Sequence, residues 1–120
     1  MASTETPDGH TESEALASLG RYAGPATLML SSLADGPKHG YALTKDIEQF
    51  AGVHVAPGTM YEALARLERQ GLIEPLESVD RRRPYRLTAE GALALRAHLH
   101  AQRQVAEVGL RRLDSTPGLA

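Results

Sequence analysis

Three consecutive arginines, Arg81, Arg82 and Arg83, share one short stretch, with Arg86 three residues on. Adjacent guanidiniums repel one another unless anions neutralise them, and nucleic-acid phosphate does so. A solvated turn, with Glu74, Glu77 and Asp80 as counterions, fits the same charges. A second set lies between Pro57 and Gln70. At helical spacing Met60, Ala63, Leu64 and Leu67 form an inner stripe, which puts Gly58, Glu62, Ala65 and Arg69 on the opposite side. Thr59, Tyr61 and Arg66 fall at the edges. Gly58 admits close backbone approach, the two hydroxyls suit phosphates or base edges, and Arg66 suits guanine or phosphate. An ordinary amphipathic helix with a solvated outer face has the same pattern.

A third set is Lys38, His39 and Tyr41, with Lys45 one turn later. If a helix starts here, Tyr41 lies near its N-terminus, where backbone N–H groups hold phosphate. Lys38 and Lys45 then read as phosphate contacts, and His39 and Tyr41 either touch the backbone of a nucleic acid or merely pack and cap. His98 and His100 are two apart and point to different helix faces, the wrong spacing for a shared metal. No metal or cofactor is expected. The chain has no Cys, no G-x-S-x-G, no Gly-rich phosphate loop and no H-E-x-x-H, so no enzyme chemistry is expected.

These residues need elements to hold them, and the punctuation supplies them. Gly24-Pro25 opens a first helix with Ala26, Met29, Leu30 and Leu33 on one face, and Asp35-Gly36-Pro37 ends it. A second helix runs from about His39 to Phe50 and closes at Gly52. A third starts at Ala56-Pro57 and stops before Gly71. The period then changes to two: residues 72–79 read as a strand with Pro75 on an edge, 80–84 as a polar turn, and 85–87 as a returning strand. Thr88 caps a final helix of about 26 residues to Leu113. The fold class is mainly α with a small β-hairpin: a winged helix-turn-helix plus a long C-terminal helix.

Length and charge agree with one domain. The 120 residues are 42% hydrophobic and only 4% aromatic, so the core must be aliphatic. The net charge of −2 hides an asymmetry. Glu5, Asp8, Glu12 and Glu14 lie within residues 1–14, where there is no Lys or Arg. Setting those four of the 15 acids aside leaves 13 basic groups against 11 acidic ones. Residues 1–13 read as a disordered acidic tail, 14–87 as the winged helix domain, 88–113 as a dimerisation helix and 114–120 as a flexible tail. Only Leu16 and Leu19 are large and apolar in 14–22, so any helix there is short. No apolar run spans a membrane and the N-terminal residues lack a secretory h-region, so a cytoplasmic protein, nucleoid-associated when bound to DNA, is expected.

The stretches GPATLMLSSLADGPKHGYAL, APGTMYEALARLERQGLIEP and RRRPYRLTAEG resemble the PadR family of bacterial transcriptional regulators. The likeness covers roughly residues 23–112. It rests on Gly36-Pro37 with His39-Gly40-Tyr41, on Gly58-Thr59-Met60-Tyr61 with Leu64, Arg66 and Leu67, on Gly71-Leu72-Ile73, and on Tyr85-Arg86-Leu87-Thr88 with Gly91. Many members place Pro directly after the tyrosine of the third-helix motif, where this chain has Glu62. Because the chain ends after one long helix, it resembles the short subfamily, in which that helix dimerises.

The resemblance implies a homodimeric, sequence-specific repressor of double-stranded DNA, reading a palindromic operator with the third helix and the Arg-rich wing. Ala92, Leu95, Leu99, Ala106, Leu110 and Leu113 form the expected dimer stripe, interrupted by Gln102. An effector, small molecule or protein, is left open. Residues 24–34 and 88–113 contain no Phe, Tyr or Trp, so a planar drug held by stacking at the dimer seam is not expected. The alternatives are a winged-helix protein-interaction module or a small-molecule sensor without strong DNA binding.

Overall fold

The computed structural model describes residues 24–118. The acidic segment 1–13, residues 14–22 and the last two residues of the C-terminal tail lie outside the described residues. The elements are α1 (Gly24–Leu33), α2 (Gly40–Ala51), α3 (Pro57–Arg69), β1 (Ile73–Pro75), β2 (Tyr85–Leu87) and α4 (Ala89–Asp114).

The local chemistry explains the boundaries. His39 is the N-cap of α2, and its Nδ1 accepts from the Ala42 backbone N–H at 3.3 Å. Gly52 ends that helix in the left-handed region, at φ 67°, and its N–H bonds to the Glu48 carbonyl. Pro57 occupies the first turn of α3, where its missing N–H leaves no orphan donor. Thr88 caps α4 by accepting from the Gly91 N–H at 2.9 Å.

One aliphatic core joins all six elements. Met29 and Leu33 of α1, Leu43 and Ile47 of α2, and Met60, Leu64 and Leu67 of α3 are buried together with Ile73 of β1 and Leu95 of α4. The hydroxyl of Ser32 is buried beside them and donates to Asp46 Oδ2 at 2.6 Å. Asp46 is therefore a partner of a buried group rather than a plain surface acid.

The wing differs from expectation in its first strand, read over 72–79, while the returning strand falls at 85–87 as read. β1 and β2 pair antiparallel over only three residues each, with Ile73 opposite Leu87 and Pro75 opposite Tyr85. β2 spends its outer bonds on Lys38: the Tyr85 N–H donates to the Lys38 carbonyl at 2.9 Å, and the reverse bond is 3.2 Å. This leaves Pro75 on the outer edge of β1, where a missing donor costs nothing. Beyond Leu76, whose N–H reaches the Pro84 carbonyl, the ladder opens and closes again only at the tip, between Val79 and Arg82. Asp80 and Arg81 form that tip with φ of 52° and 66°. Two successive residues at positive φ match the two-residue turn of the mirror-image type that suits strand twist.

Candidate nucleic-acid interface

α2 and α3 are consecutive helices joined by residues 52–56, and the core fixes which side of α3 looks out. With Met60, Ala63, Leu64 and Leu67 buried, Gly58, Thr59, Tyr61, Glu62, Arg66 and Arg69 are all exposed. The expected face of α3 is therefore presented as one continuous surface.

The start of α2 meets that surface. Gly40 lies under the ring of Tyr61: a Cβ added there would sit 3.4 Å from the Tyr61 hydroxyl oxygen. Tyr41 stands exposed in the same turn, with the Lys45 ammonium 5.7 Å from its ring centroid. Lys38 is different. Its ammonium donates to the Ser32 carbonyl and to Asp35 Oδ1, each at 2.5 Å, and lies 4.0 Å from Asp46 Oδ2. Its side chain is only 17% exposed. The expectation of a phosphate contact at Lys38 is thus corrected: the charge is already neutralised inside the protein and ties the end of α1 to α2. The hydrogen bond and charge of Lys38 hold the Asp35 carboxyl below the usual carboxylate range. His39 acts as a cap, which leaves its Nε2 as the only ring nitrogen free to donate.

Arg81, Arg82 and Arg83 are exposed on the wing. Arg86 is not part of that group, because it pairs across the strands with Glu74. Between wing and α3 sits a residue the spacing did not single out, Tyr85. Burial raises its hydroxyl above the ordinary phenol range, Glu68 adds to the effect and Arg83 opposes it. Tyr61 adds the smallest of the contributions that raise it. The signal in the sequence was a Tyr in a short returning strand, which carries no such information until β2 is placed against Lys38.

The long helix corrects one expectation. Leu95 is 5% exposed and belongs to the core of its own chain, so it anchors α4 rather than facing a partner. Ala92 is half-buried, Ala106 is exposed, and Leu99, Leu110 and Leu113 are exposed. The expected stripe also misses a second one. Leu93 and Val105 are exposed on another side of α4, continued by Ala97 and Ala101 at four-residue spacing. The repeat 93, 97, 101, 105 was the available signal.

Among the described residues no group of three or more His, Cys, Asp or Glu is placed to hold a metal, and no helix is long and apolar enough to cross a membrane. Helices α2 and α3, a hairpin beside them and a basic tip define a winged helix-turn-helix protein. The Transcriptional regulator PadR-like family matches residues 29–97, more than half of the chain. The chain belongs to this family, whose members are transcriptional regulators and not enzymes.

Three relatives place it further. The transcriptional regulator Rv3488 of Mycobacterium tuberculosis is 36% identical over 93 residues, which is 75% of this chain and 86% of that protein. An uncharacterized 37.1 kDa protein of a Streptomyces fradiae transposon is 49% identical over 74 residues, covering 62% of this chain. The chain spans only 21% of that longer relative. The crystal structure of a PadR family transcriptional regulator from Eggerthella lenta superimposes with a TM-score of 0.68 at 34% identity, over 87% of this chain and 92% of that one.

Proposed function

We propose that this regulator is a sequence-specific DNA-binding repressor, acting in the cytoplasm as a homodimer on a palindromic operator. α3 enters the major groove, the N-terminal turn of α2 abuts the backbone, and the wing grips phosphates. The observation that carries this is one arrangement. The outward face of α3, with Tyr61 seated on Gly40, and the exposed arginines of the wing belong to elements packed on one core. Arg81 adds support: it occupies a left-handed position that favours Gly or Asn, so a long cation is kept where the backbone prefers none.

Residues 57–71 balance Arg66 and Arg69 against Glu62 and Glu68, so α3 contributes no net attraction to phosphate. Affinity then comes from the wing, the start of α2 and the pairing of two copies, while α3 contributes sequence choice. Tyr61→Phe and Arg66→Ala should each cost about 1–3 kcal/mol on the operator if a base contact is lost, and much less on scrambled duplex. Equal losses on both duplexes, read by titration, would turn these residues into phosphate contacts.

The dimer rests on the distal half of α4. Beyond Leu95 no residue of that helix is buried, and Leu99, Leu110 and Leu113 are exposed on one side. A twofold pair of such helices covers the stripe of Leu99, Leu110 and Leu113 and gives the symmetry that a palindrome needs. Leu110, 62% exposed, is a clean probe because its own chain does not need it. Leu110→Asp should give folded monomers in sedimentation; a retained dimer contradicts this interface.

A further inference from the structure

We propose that Glu62 selects a cytosine in each half-site, its carboxylate accepting a hydrogen bond from the cytosine 4-amino group in the major groove. The inference rests on α3 being the DNA-reading helix and assigns one contact within that reading.

Position comes first. Glu62 lies on the side of α3 opposite the buried stripe of Met60, Ala63, Leu64 and Leu67. One turn before it is Gly58, whose missing Cβ would meet nothing within 4 Å. Three residues after it is Ala65, also exposed. Glu62 therefore stands between two positions with almost no side chain. The backbone at those two positions can approach the groove closely, so the Glu62 carboxylate can enter it beside Arg66.

Its chemistry narrows the partner. Arg66 lies four residues on, the spacing at which Glu and Arg commonly pair on a helix. No such pair forms, and among the described residues Glu62 has no ion-pair partner within 4.0 Å. An unpaired anion carried into a groove walled by phosphates is repelled unless it meets a donor. Guanine N7 and O6 and thymine O4 are acceptors and repel it too. Only the cytosine 4-amino and adenine 6-amino groups donate there. Adenine sets its N7 acceptor beside its amino group, which opposes a carboxylate but suits an amide. Cytosine has no such acceptor. Glu62 thus fits cytosine, and at any other base it leaves a desolvated charge unpaired. Its selectivity is largely a penalty on wrong sites, which also lowers binding to random DNA.

The test is selection of duplexes from a random library by the full chain, as wild type, Glu62→Gln and Glu62→Ala. Both variants are exposed helix positions, and folding is checked by their melting curves. The wild type should enrich a motif with cytosine at one position per half-site. Glu62→Ala should keep the rest of the motif, lose the preference there by about 5- to 150-fold, and bind random duplex more tightly. Glu62→Gln should move that position toward adenine, since an amide pairs with both N6 and N7. Identical motifs from all three proteins would overturn the assignment while leaving α3 as the reading helix. A wild type that enriches no motif would overturn that reading, and the assignment with it.

Discussion

Replacing Arg81, Arg82 and Arg83 together by Ala should weaken binding to operator and to random duplex alike, and should flatten the salt dependence. Each phosphate neutralised releases counterions, giving a slope of about −0.9 in log K against log salt. If every one of these arginines meets a phosphate in both protomers, the slope falls in magnitude by up to about five units. That corresponds to the loss of most non-specific affinity at physiological salt. A single variant separates binding from folding. Arg81 sits at φ 66° after Asp80 at φ 52°, so Arg81→Gly creates the Asp-Gly pair favoured in this turn. It should melt at the same temperature or higher and yet bind DNA less tightly with a shallower slope. If the triple variant keeps the wild-type slope, the wing is only a solvated turn.

Gly91→Ala should be the most damaging single methyl in the described part of the chain. A Cβ at this position would lie 2.0 Å from the Leu72 carbonyl oxygen, 2.9 Å from its carbon and 3.0 Å from Leu87 Cδ1. The carbonyl cannot simply move away, because it accepts the Thr88 N–H at 3.1 Å. The neighbouring Gly71 carbonyl is held in turn by the Thr88 hydroxyl at 2.7 Å. Overpacking typically costs about 1–3 kcal/mol, and a clash against fixed backbone belongs at the upper end or beyond. The better helix propensity of Ala returns at most about 1 kcal/mol. For a domain of this size a loss of 2–3 kcal/mol lowers Tm by roughly 10 °C or more. Gly109→Ala on the same helix is the control, since its Cβ would meet nothing within 4 Å. It should show no loss of Tm. The joint matters for function because Gly71–Leu72 follows the end of α3 and Thr88–Gly91 starts α4. Loosening it should uncouple the reading helix from the helix proposed to pair the protomers.

What was legible in the sequence was local. Pro25, Pro57, Gly52 and Thr88 act through their own backbone or within one turn, so they marked the helix ends close to where the structure has them. The outward face of α3 was legible for the same reason, since four buried residues at helical spacing fix the rest. The misreadings came from contacts between elements. Lys38 carries a charge that spacing alone directs outward, but Ser32, Asp35 and Asp46 converge on it only once α1 packs on α2. Leu95 belongs by period to the exposed stripe, yet it falls where α4 still lies against the core. The period of about two over 72–79 suggested a long strand, but β1 stops at Pro75, and past Leu76 the ladder closes again only at the Val79–Arg82 bridge. Tyr85 gains its place between wing and α3 from Lys38, which is 47 positions earlier in the chain.

The central claim is that α3 reads a major groove twice, once per protomer. The most direct measurement is a chemical protection footprint of the purified full chain on its selected duplex, probing guanine N7 in the major groove. The account predicts two protected major-groove segments related by twofold symmetry. Their centres should lie about one helical turn apart, or a multiple of it, and protection should fade as salt rises. Absence of protection at low salt, where even weak phosphate contacts hold best, would contradict it and leave α3 as a surface for binding protein.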